Sequence, residues 1–162
     1  NQRVILQDIP SDKARKLAEM GLENFAPYLM NRLMGRYNAA LREEMAKLGL
    51  TTTQMRSLAV LSVLDGILIR ELAVYAVVQQ STLSRGLDAL VQDGLVARLP
   101  DPNDSRATRI FLTDAGRKTF DQLWPHMSNA YEAMFRGVTE TEKSAFVGTL
   151  QKMLKNIRKH DF

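Results

Sequence analysis

The sequence predicts a mainly α fold with a small β-hairpin wing: a winged helix-turn-helix head carried between long N- and C-terminal helices that dimerise. Three observations predict it. The run Gln79 to Gln92 is amphipathic at helical spacing and follows a second short helical stretch. Two short extended stretches, 95–99 and 107–112, flank a loop rich in proline and aspartate, which is the pattern of a hairpin. Apolar stripes at 3-and-4 spacing then run through both ends of the chain for longer than so small a head can cover.

The N-terminal stretch to Glu23 opens with an apolar strip (Val4, Ile5, Leu6, Ile9) broken at Pro10, after which Ser11 caps a short helix through Leu17 and Met20 that ends at Gly21. Such an arm is expected to dock on a partner subunit. Pro27 suits a first helical turn, and a long helix is predicted from there to Leu48, stopped at Gly49, with Leu29, Leu33, Tyr37, Leu41, Met45 and Leu48 along one face. Thr51 and Gln54 have the spacing of a capping box for the next helix, whose buried stripe is Met55, Leu58, Leu61 and Leu64 and whose end is Asp65-Gly66.

Ile67 to Tyr75 then reads as the first helix of the motif, Ala76 to Val78 as a tight connection, and Gln79 to Gln92 as the second helix. On that second helix Leu83, Leu87, Leu90 and Val91 share one arc, while Ser81, Ser84, Arg85, Asp88 and Gln92 lie opposite; Thr82 falls nearer the buried side. A generic solvated helix carries lysine and glutamate at i,i+4. Here the first turns carry hydroxyls, amides and one guanidinium, groups that donate to phosphates and pair with base edges in a major groove. Asp93-Gly94 stops the helix, residues 95–99 form a strand, 100–106 a loop, and 107–112 the returning strand.

Thr113 caps a long helix bearing Phe120, Leu123, Trp124, Met127, Tyr131, Met134, Phe135 and Val138, with a bend expected near residues 121–125 because Pro125 sits inside it. Thr139 and Glu142 make a second capping box. The final helix carries Phe146, Leu150, Met153, Leu154 and Ile157. A twofold homodimer is the commonest way to cover such stripes.

The segments 71–73 (ELA), 81–98 (STLSRGLDALVQDGLVAR) and 101–117 (DPNDSRATRIFLTDAGR) resemble the MarR family of bacterial winged helix-turn-helix transcriptional regulators. The most specific part is Asp104 and Arg106, followed by Leu112-Thr113 and Gly116. The resemblance covers nearly the whole chain and implies a single domain over 1–162, with 51–113 as the DNA-binding region and 1–48 and 114–162 as dimerisation helices. It implies a homodimer on an inverted-repeat operator in double-stranded DNA, its two reading helices roughly 34 to 36 Å apart. Gln79 stands at the head of the reading helix, Gln80, Ser81, Ser84 and Arg85 face the major groove, and Arg85 is best suited to a guanine edge. Arg106 at the wing tip, aimed by Asp104, is implied to reach the minor groove or its phosphates; the bland reading of that pair is a loop salt bridge.

Three positions depart from the family pattern. Leu68 stands where a hydroxyl commonly caps the first motif helix, Val77 where the turn has glycine, and Gln79 where a hydroxyl precedes the reading helix. The resemblance also implies a small aromatic or phenolic effector. Met30, Met34, Tyr37, Arg56, Trp124 and Met127 are conceivable lining residues, but stripes of this kind are more often core, so no effector-binding residue is assigned.

Composition sets the remaining bounds. No cysteine is present, which excludes disulfides, thiolate metal sites and thiol redox sensing. The net charge of +4 permits a polyanionic partner, yet residues 79–118 hold six basic residues against five aspartates, so any DNA-facing field depends on arrangement. Only His126 and His160 are available as imidazoles, and no phosphate-binding glycine loop, nucleophile elbow or metal motif occurs, so neither an enzyme, a metal nor a cofactor is expected. With no apolar run near membrane length and no signal peptide, the expected location is the cytoplasm, without a membrane partner. The alternative is a winged-helix scaffold that binds protein without sequence-specific DNA binding; its working face would expose more aromatic and aliphatic side chains.

Overall fold

The computed structural model describes residues 16–162. The apolar strip at Val4 to Ile9 and the proposed cap Ser11 therefore lie outside the described residues. Element order is α1 (Leu17–Met20), a 3-10 turn (Leu22–Asn24), α2 (Ala26–Lys47), α3 (Thr52–Val63), β1 (Ile67–Leu68), α4 (Ile69–Tyr75), α5 (Gln80–Gln92), β2 (Val96–Pro100), β3 (Thr108–Leu112), α6 (Asp114–Met134) and α7 (Glu140–Ile157). The fold is thus mainly helical with a small antiparallel sheet. Residues 37–130 form one compact unit, and, among the described residues, 16–36 and 131–162 form another.

The core lies in the unit 37–130. Met55, Leu58 and Leu61 of α3, Leu72 of α4, and Leu83, Leu87 and Leu90 of α5 are buried together with Val96 and Ile110 of the sheet. Leu41 and Met45 from the second half of α2 and Leu123 from α6 join the same cluster. Each leucine taken fully from water contributes roughly 1.5 to 3 kcal/mol, so this cluster, rather than helix propensity, sets which face of each helix points inward. The α3 capping box is complete: Gln54 N donates to Thr51 Oγ1 at 3.2 Å, and Thr51 N donates to Gln54 Oε1 at 2.9 Å.

The structure departs from the sequence reading at several points. Ile67 and Leu68 do not belong to a helix; they form β1, pairing with Ile110 and Arg109, so the hairpin becomes a three-stranded sheet of order β1-β3-β2. A two-residue strand is too short to display the alternation that identifies strands in sequence. Leu64 is a C-cap residue and Val91 lies at the edge of the α5 stripe; both are exposed. Thr82, assigned to the buried side, is also exposed. Helix α6, which contains Pro125, ends at Met134, so Phe135 and Val138 lie beyond it.

In the terminal unit, α7 starts with a complete capping box at Thr139 and Glu142. Phe135 stacks edge-on with Tyr131 at 5.1 Å and with Phe146 at 6.2 Å, and Lys143 Nζ lies 4.6 Å from the Tyr131 ring centre. Yet no residue of α7 is buried, and Leu29, Leu33 and Met34 of α2 are exposed as well.

Three helix ends share one geometry. After α2, α4 and α5 the chain closes with paired 6→1 and 5→2 bonds: Leu50 N to Met45 O with Gly49 N to Ala46 O, Val78 N to Ala73 O with Val77 N to Val74 O, and Leu95 N to Leu90 O with Gly94 N to Val91 O. The middle residue must take a left-handed backbone. Gly49 and Gly94 do so at φ 67° and 73°, whereas Val77 is held at φ 55° and is 73 % exposed. The left-handed region costs an L-residue roughly 1 to 2 kcal/mol, and the exposed isopropyl group recovers little of it by packing. Val77→Gly is therefore expected to raise stability by about 1 kcal/mol, after the entropy that glycine adds to the unfolded chain. Thermal and urea unfolding measure it; an unchanged or lowered midpoint contradicts the strain argument.

Candidate nucleic-acid interface

The buried Leu83, Leu87 and Leu90 fix the rotation of α5 about its own axis. Consequently Gln79, Gln80, Ser81 and Arg85 are exposed, as is Thr82, while Ser84 is half-buried. Thr82 and Ser84 flank Leu83 by one residue each, about 100° to either side, so spacing alone does not distinguish them. The structure does: Thr82 is exposed and Ser84 half-buried, and the Ser84 carbonyl accepts from Nη2 of Arg98 on strand β2 at 2.8 Å. Thr82 is thus a groove-facing candidate that the sequence reading had set aside.

Gln79 occupies the N-cap with extended backbone (φ -67°, ψ 141°) and provides no side-chain cap. No side-chain oxygen therefore covers the amides of the first turn, and they carry the positive end of the helix dipole. Leu68 likewise caps α4 without a side-chain bond.

Two side chains from other elements grip carbonyls in the middle of α5. Arg98 takes Ser84 O and also pairs with the Asp88 carboxylate through Nη1. From the opposite element, Gln54 of α3 donates from Nε2 to Gly86 O at 3.1 Å while its Oε1 completes the α3 capping box.

The wing is built on Asp101, which is buried despite its charge. Its Oδ1 accepts from Asn103 N at 2.7 Å and Asp104 N at 3.1 Å, and its Oδ2 accepts from Arg109 Nε at 2.6 Å. Arg109 Nη1 also donates to Gly66 O at 2.9 Å, tying the wing loop to the corner that precedes β1. The backbone amides and the guanidinium together hold the Asp101 carboxyl below the usual aspartate range, with the Asn103 amide the largest cause. At the tip, Asp104 Oδ1 accepts firmly from the Arg106 backbone N at 3.0 Å but lies 3.5 Å from Arg106 Nε. Asp104 therefore shapes the tip backbone, and the Arg106 side chain, 92 % exposed, projects beyond it.

At the wing base, Thr113 Oγ1 donates to Gly94 O at 2.6 Å and accepts from Gly116 N at 3.0 Å, while a Cβ on Gly116 would lie 2.0 Å from Leu95 O. This explains the Leu112-Thr113 and Gly116 signature physically: one hydroxyl caps α6 and pins the end of α5, and only glycine admits the crossing backbone. The holding residues Arg98, Asp101 and Arg109 were not singled out in sequence, since a strand arginine and a loop aspartate carry no spacing signal.

Among the described residues no group of three or more histidine, aspartate or glutamate side chains is placed to hold a metal ion. Among them, too, no helix is long and apolar enough to cross a membrane.

The model of the MarR family matches residues 50–108, from just before α3 to the first residue of β3. A MarR-family transcriptional regulator of known structure from Silicibacter pomeroyi is similar at 57% identity, over 91% of this chain and 100% of that one, with a TM-score of 0.87. The HTH-type transcriptional repressor IacR of Pseudomonas putida is 26% identical over 150 residues, 93% of this chain and 86% of that protein. A mutant of Escherichia coli MarR complexed with operator DNA is similar at 25% identity, over 87% of this chain and 99% of that one, with a TM-score of 0.70.

Because the folded Asp101 carboxyl sits below its unfolded value, its contribution to stability is fully present above about pH 3.9 and is lost as pH falls through the lower folded value. A carboxyl-carbon titration by NMR is expected to place the Asp101 midpoint below that of a free aspartate. A midpoint at or above it would show that the wing is not braced through this carboxylate.

Proposed function

The chain belongs to the MarR family, and on that premise we propose that it is a transcriptional regulator that binds inverted-repeat operators as a homodimer and is released from them by a small aromatic effector. The observation that carries the reading is α5: its leucines are buried in the head core, and Gln80, Ser81, Thr82 and Arg85 are left exposed on one uncapped helix. Hydroxyls and amides suit phosphates and adenine edges, and a guanidinium suits the paired acceptors of guanine. Arg106, exposed at the wing tip, adds a cation of the kind that a narrow minor groove attracts. In this reading Gln79 lies at the phosphate-facing helix start, Ser84 contributes at the groove margin, and Asp104 shapes the tip that carries Arg106.

The homodimer reading rests on the apolar surface of the terminal unit. Leu33, Met134, Phe135, Val138 and Phe146 line an open groove there, and α7 exposes Leu154 and Ile157. A second copy of the chain is the occupant that fits, because a twofold pairing covers the same surface on both subunits at once. The dimerisation helices are those of 1–48 and 114–162, and 51–113 is the DNA-binding region. The effector acts by preferring one spacing of the two reading helices over another, since a ligand shifts an equilibrium only by its difference in affinity. A regulator of this kind works in the cytoplasm and has no catalytic residues.

A mobility-shift titration on an inverted-repeat duplex selected by the protein from a randomised pool tests the reading. Binding is expected to weaken by roughly three orders of magnitude or more between low and physiological salt if six or more phosphates are contacted. Absence of any salt-dependent, sequence-selective shift would favour the protein-binding scaffold. Arg85→Ala is expected to reduce discrimination between selected and altered duplexes by about tenfold or more while the sedimentation of the dimer is unchanged. Full discrimination in that variant would move the reading role elsewhere on α5.

A further inference from the structure

We propose that Arg98 is a positioning residue that sets the reading helix and the wing as one rigid element, so that Arg85 and Arg106 engage DNA together. The inference rests on the regulator reading above. Arg98 sits in the middle of β2, opposite Ile110 of β3, on the strand that leads into the wing loop. Its guanidinium spans one turn of α5, taking the Ser84 carbonyl at 2.8 Å with Nη2 and the Asp88 carboxylate with Nη1. The gripped carbonyl belongs to the peptide group that leads directly into Arg85. Two nitrogens in a fixed plane define an orientation as well as a distance, which a lysine ammonium on a flexible stem does not.

The arrangement carries more than charge pairing. Asp88 is 64% exposed in its side chain, so the ion pair alone contributes little. The bond to Ser84 O is different, because it comes from a side chain 29% exposed and fixes a backbone atom of the reading helix itself. Arg98 also neutralises the one carboxylate on the polar face of α5, which would otherwise face phosphates. Charge and orientation are therefore separable: Arg98→Lys retains the first and loses the second.

The test uses the full-length protein and the duplex that the wild type selects from a randomised pool. The cost of Arg106→Ala is measured in the wild-type background and in Arg98→Lys. In the wild type the cost is expected to be about tenfold in affinity, and in Arg98→Lys no more than about threefold, because a wing no longer aligned with the helix has less to lose. An equal cost in both backgrounds overturns the proposal, since a purely electrostatic or structural arginine would leave the Arg106 contribution intact. If circular dichroism shows that Arg98→Lys does not fold, Arg98→Gln is read in its place, since one amide cannot span the Ser84 carbonyl and Asp88 together: a cost of Arg106→Ala below the wild-type value supports the proposal, and an undiminished one overturns it. Failure of the wild type to select any duplex would instead overturn the regulator reading and this proposal with it.

Discussion

The burial of Leu83, Leu87 and Leu90 is the constraint on which the rest of the head depends. Three leucines on one arc leave α5 a single rotation about its axis, and everything on the opposite arc is thereby exposed. The buried cluster that these leucines join also takes Leu58 and Leu61 from α3, Leu72 from α4, Val96 from β2 and Ile110 from β3. Replacing any of these contacts with a void would cost roughly 2 to 5 kcal/mol, so the orientation of the polar face is set by the least negotiable term in the fold. Function therefore follows from packing: the residues that meet DNA in the proposed reading are the ones that core formation excludes.

Burial fixes rotation but not the placement of the wing, and polar side chains supply that second constraint. Gln54 and Arg98 each grip a carbonyl of α5 from a different neighbour, Arg109 ties Asp101 to Gly66 O, and Asp65 Oδ1 accepts from Leu112 N at 2.7 Å. Gln54 and Asp101 are buried and Arg98 and Arg109 half-buried, and all of them, with the exposed Asp65, spend hydrogen-bonding capacity on the protein. Arg85 and Arg106 are exposed, and the Arg106 guanidinium makes a 3.5 Å contact from Nε to Asp104 Oδ1 at the wing tip. The basic residues of the head thus divide into those that hold the frame and those left to act, which is why the near-neutral charge sum over residues 79–118 is uninformative about DNA binding.

Much of this was legible in the sequence because periodicity reports burial. The leucine arc of α5, both capping boxes, the glycine stop at Gly94 and the hairpin strands all follow from residue type and spacing, and each is present. What escaped was set by contacts between elements distant in the chain. Ile67 and Leu68 become a strand only because β3 offers them a ladder, and Thr82 and Ser84 differ in exposure at a point where Arg98 from β2 binds the Ser84 carbonyl. The same holds for Asp101: a loop aspartate looks solvated until Arg109 and two amides converge on it. Val77 is the reverse case. Its departure from glycine was visible in sequence, and the left-handed backbone there shows that the fold imposes the turn on a residue poorly suited to it.

The central claim is that α5 is presented in its working orientation before any partner arrives. A structure of the protein bound to its selected duplex tests this most directly. The account predicts that α5 and the β2–β3 hairpin superpose on the free head to within about 1 Å, with Ser81 and Arg85 directed at base edges in the major groove. A complex in which α5 rotates so that part of the leucine arc leaves the core, or in which the helix lies outside the groove, would contradict it.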